Sequence, residues 1–349
     1  PSDVAAVMRQ LGPIQTPLAS EPDIIVRFVD SIEEPSTLRY IGVNEAGFTE
    51  DAFFVLKPKG DHHIKAKIAL SEIGRQSEII CESGIGAVPH LIAMINLIAL
   101  EKGILALHAS AFTYRDTGVL VTGWAKGGKT EALFAFMSNG ANYIGDEWIY
   151  IGSDGRSLWG IPEPIRVWDW HLQDLPRYRA RVDRKDQMRL RALNSAHSAA
   201  RAASAGHRGT RFGGRPLARL DSLVERQRFV HIPPHTLFGG PKCALEGSLD
   251  KVFFVVSHES STVEVRPSDS EEIARRMVFS LEFERLNFLA EYLRFRFAFP
   301  DAMSPLLEGA ADIQKSLLEN ALKDTEAFTV VHPYPAPIPE LFHAMSKYV

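Results

Sequence analysis

The chain contains the stretch Gly123-Trp124-Ala125-Lys126-Gly127-Gly128-Lys129-Thr130, a full match to the G-x-x-x-x-G-K-[ST] pattern of a phosphate-binding loop. The apolar run at 118–122 precedes it and predicts a short buried strand. The run at 131–138 follows it and predicts a helix that ends at Asn139-Gly140. Strand, glycine-rich turn and helix N-terminus are the context that such a loop requires. The stretch therefore predicts a nucleotide site within an α/β fold.

The residue types in this loop suit phosphate chemistry. Successive backbone N–H groups and the positive end of the helix dipole face the β- and γ-phosphates. Lys129 adds a positive charge, and the Thr130 hydroxyl can ligate Mg²⁺. We expect ATP and Mg²⁺ as cofactors, although no motif for base recognition distinguishes ATP from GTP or pyrophosphate as the donor. The other residues expected to bind the nucleotide are Gly123, Lys126, Gly127, Gly128 and Glu131.

Composition narrows the class of protein. The 349 residues are 45% hydrophobic, enough for the core of one large domain or two. The net charge of −4 gives no overall attraction to nucleic acid or anionic membranes. Cys81 and Cys243 are too few for a disulfide framework or a zinc site, which suits a reducing compartment. No apolar run has the length of a membrane span, and the first residues do not resemble a signal peptide. We expect a cytoplasmic protein with neither nucleic acid nor membrane as partner.

The N-terminal part has the pattern of strands separated by turn residues, which predicts a small antiparallel sheet. Pro89 then begins a predicted helix that Gly103 ends. The predicted strands lie at 24–29, 38–43, 52–56 and 64–68. We divide the chain into an N-terminal β-rich region (1–87), a core (88–170 with 228–349) and a basic, partly mobile insertion (171–227).

Two predicted strands flank the loop in sequence and carry polar side chains. The first, at 104–114, has His108 at its centre. The second, at 143–151, has the adjacent acids Asp146 and Glu147 in an otherwise apolar run. Ionised carboxylates inside a sheet are costly unless they face a cation, so we expect this pair near the metal and the phosphates. The alternative is an edge strand whose acids are solvated.

The region 171–227 is rich in arginine, and its part at 196–214 lacks hydrophobic periodicity and predicts a mobile loop. It is either a solvated helix with a flexible insertion or a basic arm for an acidic partner, a nucleic acid or the phosphates of a substrate. Aromatic residues do not alternate with the arginines as stacking platforms, which favours a substrate or partner over nucleic acid.

The C-terminal part is predicted to return to strands and then to become mainly helical. Strands are expected at 249–256, 262–266 and 328–331, with the clearest helix at 271–285 and further helical segments to Leu322.

Several of these features together resemble the HPr kinase/phosphorylase-like kinases. They are the run Leu107-His108-Ala109-Ser110-Ala111, the strand and loop at 118–130, the short helix, and Asp146-Glu147. That group includes free-serine kinases and lasso-peptide kinases, and it is structurally related to phosphoenolpyruvate carboxykinase. The resemblance is strong over about 105–151 and weaker over 251–276. It implies a P-loop core of that kind, with an N-terminal β-rich region and a C-terminal helical part, and phosphotransferase activity on an alcohol group.

The resemblance also implies roles for individual residues. Lys129 would bind the β- and γ-phosphates, and Thr130 the Mg²⁺ ion. Asp146 would accept the proton of the attacking hydroxyl, and Glu147 would help to hold the metal. His108 would lie close to the transferred phosphate, whereas its position alone is that of a satisfied core histidine.

The chain also departs from the family pattern. HPr kinases carry a further acid in a glycine-rich signature that begins Glu-x-Arg-Gly, and the corresponding region here is Trp159-Gly160-Ile161-Pro162-Glu163-Pro164-Ile165-Arg166. In it, Glu163 would be a metal ligand and Arg166 a charge for the phosphates of the substrate. The second acid of the pair is Glu147 instead of aspartate. These departures argue against HPr itself as the substrate.

We therefore expect an ATP-dependent kinase that transfers the γ-phosphate to a serine-like hydroxyl. The basic region and the N-terminal sheet are more than a small metabolite needs, which favours a peptide or protein substrate. A kinase of free serine or another metabolite is an alternative, and so is a non-catalytic ATP-binding switch. Members of the similar group often form rings or dimers, so a homo-oligomer is one possibility, and the sequence leaves the oligomeric state open.

Overall fold

A computed structural model of the chain describes residues 2–13, 16–41, 46–59, 62–70, 73–206, 224–259 and 261–349. The fold is a mixed α/β fold with two large sheets and a two-stranded ribbon. None of the helices in these ranges combines the length and the apolar character that crossing a bilayer requires.

The N-terminal region contains a short helix and a six-stranded sheet in the order β1-β6-β5-β4-β3-β2. Neighbouring strands are antiparallel except β1 and β6, which are parallel, so the predicted antiparallel sheet is wrong for that pair. Alternation and turn residues locate strands but carry no information on the direction in which distant strands pair. The elements are α1 (Ser2–Leu11), β1 (Ile24–Val29), β2 (Arg39–Tyr40), β3 (Ala46–Phe48), β4 (Ala52–Lys59), β5 (His62–Ala69) and β6 (Ser77–Glu82).

The second sheet has nine strands in the order β14-β11-β10-β7-β8-β15-β17-β16, with β9 also paired to β7. Strands β8, β15 and β17 are parallel to one another at its centre. The strands are β7 (Leu105–Tyr114), β8 (Thr117–Gly123), β9 (Asn142–Gly145), β10 (Trp148–Ile151), β11 (Ser157–Gly160), β14 (Glu246–Ser248), β15 (Lys251–Ser257), β16 (Glu264–Pro267) and β17 (Glu326–His332), while β12 (Ile165–Trp168) and β13 (Phe229–Ile232) form the ribbon.

Helices cover both faces of the nine-stranded sheet, so its central strands are apolar throughout instead of alternating. They are α2 (Leu91–Glu101), α3 (Lys129–Met137), α4 (Asp169–Asp174), α5 (Pro176–Arg179), α6 (Arg184–Gly206), α7 (Pro234–Phe238), α8 (Ser270–Ala298), α9 (Pro305–Leu322) and α10 (Ile338–Met345), with short 3₁₀ turns at Gly240–Lys242 and Ser346–Tyr348. Helix α8 extends well beyond the predicted 271–285. Asp269 caps its start by accepting a hydrogen bond from the Glu271 N–H at 2.9 Å.

Three apolar clusters hold these layers together. Helix α3 packs on one face of the nine-stranded sheet with side chains such as Phe134 and Phe136. Helix α8 packs on the other face through Met277 and Leu281. Further along, α8 also reaches the N-terminal sheet, where Phe288 lies in the same cluster as the buried side chains of β4 and β5. Helix α8 therefore joins the N-terminal sheet to the sheet that carries the phosphate-binding loop.

The predicted strand at 143–151 is two strands in the structure. β9 ends at Gly145, β10 begins at Trp148, and Asp146 and Glu147 form the turn between them. Glu147 has a φ of 68°, in the left-handed region, and the Trp148 N–H donates to the Asp146 carbonyl at 3.0 Å. The prediction of one continuous strand is wrong because this turn redirects the chain after β9. Both strands still pair with β7.

The predicted mobile loop at 196–214 is also wrong over its first part. Helix α6 continues to Gly206, and residues 207–214 lie outside the described residues. The segment is rich in alanine, the residue with the highest helix propensity, and that propensity sustains a helix without an apolar face. Other residues of the basic region lie in the cluster around α3, among them Leu172, Leu175, Tyr178, Val182 and Leu190.

Candidate functional site

The phosphate-binding loop leaves the C-terminal end of β8 and enters α3, as the sequence predicts. Gly123 has a φ of 152° and Gly128 a φ of 103°, conformations that residues with a Cβ rarely adopt. Lys126 also has a positive φ, 63°, and its side chain is exposed. The loop therefore has the left-handed turns that let successive N–H groups face one point.

His332 contacts the backbone of the loop. Sequence reasoning did not identify it as a residue of the site. It ends β17, is fully buried, and its Nε2 lies 2.7 Å from the Gly127 carbonyl oxygen. A Cβ on Gly128 would lie 2.4 Å from the same nitrogen, so the loop has no space for a side chain there. In the sequence His332 is one polar residue at the end of an apolar strand, and nothing marks it as part of the site.

Lys129 points into the loop. Its Nζ donates to the carbonyl oxygens of Trp124 at 3.0 Å and Gly123 at 3.3 Å, and the residue is only 6% exposed. Burial lowers the pKa of Lys129, although nearby carboxylates, Glu147 and Asp146 first among them, oppose that shift. The ammonium group thus lies within the curve of the loop, where phosphate oxygens would replace the backbone carbonyls as its partners.

Asp146 contacts the threonine of the loop. The Thr130 hydroxyl lies 3.1 Å and 3.3 Å from the two carboxylate oxygens of Asp146, which is 2% exposed. Burial and the charge of Glu147 raise the pKa of Asp146 to about 7, against the opposing effects of Thr130 and Lys129. The structure therefore brings Asp146, and not Glu147, against the expected metal ligand Thr130.

Glu147 instead pairs with His108 of β7. The Glu147 Oε2 lies 3.0 Å from the His108 Nε2, and the Nδ1 on the other side of the ring lies 2.7 Å from Glu284 Oε1 on α8. Burial lowers the pKa of His108, but the two carboxylates outweigh it, so the net shift is upward. The hydrogen bond from His108 in turn lowers the pKa of Glu147. A protonated His108 held between two acids is the state that this geometry favours.

Glu284 was missed by sequence reasoning, because it is one of several acids in a long helix and lies far from the loop in sequence. Only the packing of α8 against the sheet brings it to His108. The ring of Trp148 also packs against the ring of His108, with the two ring centroids 5.8 Å apart. His108 is thus fixed by β10 and α8 together.

Glu163 and Arg166, from the region that departs from the family signature, lie near the acid pair without bonding to it. Burial, followed by the charges of Glu147 and Asp146, raises the pKa of Glu163 to about 9. Its Oε1 is buried and has no hydrogen-bond partner. Arg166 is exposed, stacks over Phe229 at 4.8 Å, and is close enough for its charge to contribute to the lowered pKa of Glu147.

Glu131, expected to bind the nucleotide, is held elsewhere. Its Oε1 lies 2.9 Å from His171 Nε2. The His171 Nδ1 accepts a hydrogen bond from the Trp168 N–H at 3.2 Å. The ring proton therefore lies on Nε2, which donates a hydrogen bond to the Glu131 carboxylate. Burial raises the pKa of Glu131, but His171 outweighs it and the net shift is downward. The pair anchors the start of α3 on α4.

A cavity of about 230 Å³ opens beside His108, between α2 and α8. Trp148 and Glu284, which both contact His108, line it together with Asn96, Arg285 and Gln314. The Arg285 guanidinium donates to the Gln314 side-chain oxygen and is partly buried. A larger cavity of about 700 Å³ near the start of α8 contains none of the residues predicted for the site. His108, Asp146 and the loop residues do not line the smaller cavity, which adjoins the site through Trp148 and Glu284.

The donor set around Thr130 fits Mg²⁺, which prefers oxygen ligands and keeps waters and substrate phosphates in its coordination sphere. Thr130 and Asp146 offer adjacent oxygens, and the unpartnered Oε1 of Glu163 is a buried oxygen that lacks a donor. Among the described residues no group of three or more His, Cys, Asp or Glu side chains is arranged to hold a metal by itself. The protein residues suit a metal that arrives with a nucleotide.

Comparison with known proteins adds no relative. No protein-family model matches the chain, and no curated protein is significantly similar to it. The chemistry open to the site follows from its own geometry, which combines a glycine-rich loop, an acid against the loop threonine, and a histidine between two carboxylates.

Proposed function

We propose that this chain is an ATP-dependent kinase that transfers the γ-phosphate to a serine-like hydroxyl, on a core of the HPr kinase/phosphoenolpyruvate carboxykinase type. The observation that carries the proposal is the contact between Thr130 of the loop and the buried carboxylate of Asp146. It puts an acid with a pKa near neutrality directly beside the place where a nucleotide would present its terminal phosphate.

Nucleotide binding would use the loop N–H groups and Lys129. The ammonium group would exchange the carbonyls of Gly123 and Trp124 for phosphate oxygens, a charge-assisted and hence stronger pairing. Mg²⁺, when bound, neutralises phosphate charge. Thr130 is the residue best placed to hold it, with Glu147 and Glu163 as the further acids of the site.

Proton transfer would be the work of Asp146. The acceptor oxygen attacks the γ-phosphorus in line, the bond to the ADP oxygen breaks, and the proton of the hydroxyl passes to the carboxylate. A base with a pKa of about 7 suits this task near neutral pH. His108, whose pKa the nearby carboxylates Glu147 and Glu284 raise, would in its protonated form supply positive charge toward the oxygens of the transferred group.

The acceptor would enter through the cavity beside His108. At about 230 Å³ it has room for one side chain or one small metabolite. Asn96, Arg285 and Gln314 offer polar contacts in an otherwise largely apolar lining. We favour a peptide or protein whose hydroxyl side chain occupies the cavity, with a small hydroxyl-bearing metabolite as the alternative acceptor.

Transfer of label from γ-labelled ATP tests the proposal. Wild type, Asp146→Asn and the matched control Asp174→Asn, which changes an exposed residue at the end of α4, are incubated with a host extract separated into small-molecule and macromolecular fractions. We expect label in one fraction with wild type and Asp174→Asn, and a loss of at least about 100-fold with Asp146→Asn. ATP binding by all three proteins is measured in parallel.

Normal transfer by Asp146→Asn would refute its role as base. A variant that recovers at raised Mg²⁺ concentration would assign Asp146 to the metal instead, since the loss is then one of metal affinity. ATP binding without transfer to either fraction would favour the nucleotide-dependent switch.

A further inference from the structure

Helix α8 has apolar side chains on two opposite faces. The inner face, which includes Met277, Leu281 and Phe288, is buried in the protein. The outer face carries a second apolar row, exposed to solvent, whose members recur at intervals of four, three, four, three and four residues. That repeat is the seam of a coiled coil. The row, named here the outer stripe, consists of Phe279, Phe283, Leu286, Ala290, Leu293 and Phe297.

The outer stripe is large for a surface without a partner. Phe279, Phe283 and Phe297 are 65%, 46% and 78% exposed, and Leu286 and Leu293 are 49% and 59% exposed. With about 200 Å² for each aromatic side chain, the three phenylalanines alone present roughly 400 Å² of apolar surface. Apolar patches of that size on soluble proteins are commonly binding sites. The stripe runs straight for about 27 Å along the helix.

We propose that a second copy of this chain docks on the outer stripe, with the two α8 helices antiparallel about a two-fold axis near residue 288. Such an interface is self-complementary, because each pair occurs twice. Phe279 meets Phe297 of the second copy, Phe283 meets its Leu293, and Leu286 meets its Ala290. The smallest residue of the stripe thereby faces a large one, as close packing requires.

Charge selects the antiparallel arrangement. Glu282 and Arg296 lie on the same flank of the stripe, six residues before and eight residues after residue 288. In the antiparallel pair Arg296 of the other copy is displaced from each Glu282 by only about 3 Å along the helix axis, so two such pairs form. A parallel pair would instead bring like charges to the same level. Arg296 is already held on this flank by Glu308 and by the Pro300 carbonyl at 3.0 Å.

The area agrees with a stable dimer. Two stripes facing each other would remove on the order of 1,000 Å² of apolar surface from water, and the flanking polar residues would bring the total into the range of specific interfaces. The second copy would also reach the phosphate-binding loop, because Phe283 packs against the half-exposed ring of Trp124 at a centroid distance of 5.0 Å.

Sedimentation velocity of the full chain over a range of concentrations tests the dimer. We expect wild type to be dimeric at micromolar concentration, and Leu293→Glu to weaken the dimer at least 100-fold. Leu18→Glu is the matched control, because Leu18 is also an exposed leucine, at 73%, but lies far from α8 in the sequence and outside the stripe. It should remain dimeric. Circular dichroism of each variant establishes that it is folded.

Single cysteines test the antiparallel register, in a Cys243→Ser background that leaves only the buried Cys81. Asn287→Cys lies near the proposed axis and should cross-link to its own copy with a short bismaleimide. Phe297→Cys should not, because the two sites would be about 27 Å apart along the helices. A monomer at all concentrations, a dimer that Leu293→Glu leaves unchanged, or cross-linking at residue 297 and not at 287 would each overturn the proposal.

Discussion

Replacing Glu163 by Gln should stabilise the protein, and increasingly so as the pH rises. Glu163 is partly buried with its Oε1 atom inaccessible to solvent, and that burial together with Glu147 and Asp146 raises its pKa from an ordinary 4.5 to about 9. In the unfolded chain the carboxyl loses its proton near pH 4.5, whereas in the folded chain it keeps the proton to about pH 9. The folded state therefore binds more protons across this window, and the free energy of unfolding falls as the pH rises.

The size of the effect follows from that window. Within this window, each rise of one pH unit lowers the free energy of unfolding by about 1.4 kcal/mol for one such proton. Between pH 5 and pH 7 the free energy of unfolding of wild type should therefore fall by about 2 to 3 kcal/mol. Glu163→Gln cannot ionise at this position and should not show that fall. The neutral amide has nearly the shape of the protonated acid, so the two proteins should be about equally stable below pH 4.5.

Urea unfolding at several pH values, with EDTA present so that no metal binds, measures the difference. Glu264→Gln on the exposed edge strand β16 is the control and should stay within about 0.5 kcal/mol of wild type throughout. Parallel curves for wild type and Glu163→Gln would refute the reasoning, because Glu163 would then ionise alike in the folded and unfolded chains.

Three further changes test other parts of the site. Lys129→Ala should weaken nucleotide binding by about 10- to 100-fold in a calorimetric titration, the loss expected for one charge-assisted contact, and leave the circular dichroism spectrum unchanged. Gly128→Ala should lower the free energy of unfolding by at least about 2 kcal/mol, because its φ of 103° is strained for alanine and the new Cβ meets His332; an unchanged melting temperature would contradict this. Glu284→Gln should lower the pKa of His108, seen by NMR titration, because one of the two carboxylates that raise it is gone. In wild type the charge on His108 stabilises the fold at low pH and that contribution is lost as the pH rises through the folded pKa, so Glu284→Gln should flatten this pH dependence.

Features that depend only on neighbouring residues could be predicted from the sequence. The phosphate-binding loop depends on the types and order of eight neighbouring residues, and the strand before it and the helix after it follow from short-range pattern. The turn at Asp146-Glu147 was missed because a left-handed glutamate is rare and leaves no mark in an apolar run. Helix α6 continues beyond residue 196 without hydrophobic periodicity, because its alanine content favours a helix where no apolar pattern signals one.

The parts of the site that depend on tertiary packing had no local signal. His332 lies about 200 residues from the loop that it supports, and parallel pairing of β17 with β15 and of β15 with β8 brings it there. Glu284 meets His108 only because α8 crosses the same sheet. Such contacts arise from the order of strands and the packing of layers, which single-sequence patterns do not encode.

The balance of charge in the site explains why its acids titrate as they do. Lys129, His108 and Arg166 lie among the carboxylates of Asp146, Glu147, Glu163 and Glu284, so the acids outnumber the cationic side chains. Two of these acids, Asp146 and Glu163, relieve the excess by holding protons near neutral pH. A polyphosphate would add further negative charge to the same small volume and so increase the excess of negative over positive charge. A divalent cation meets both demands, because it can displace the retained protons and pair with the phosphates at once. The raised pKa values of Asp146 and Glu163 thus support the proposal of a metal–nucleotide site.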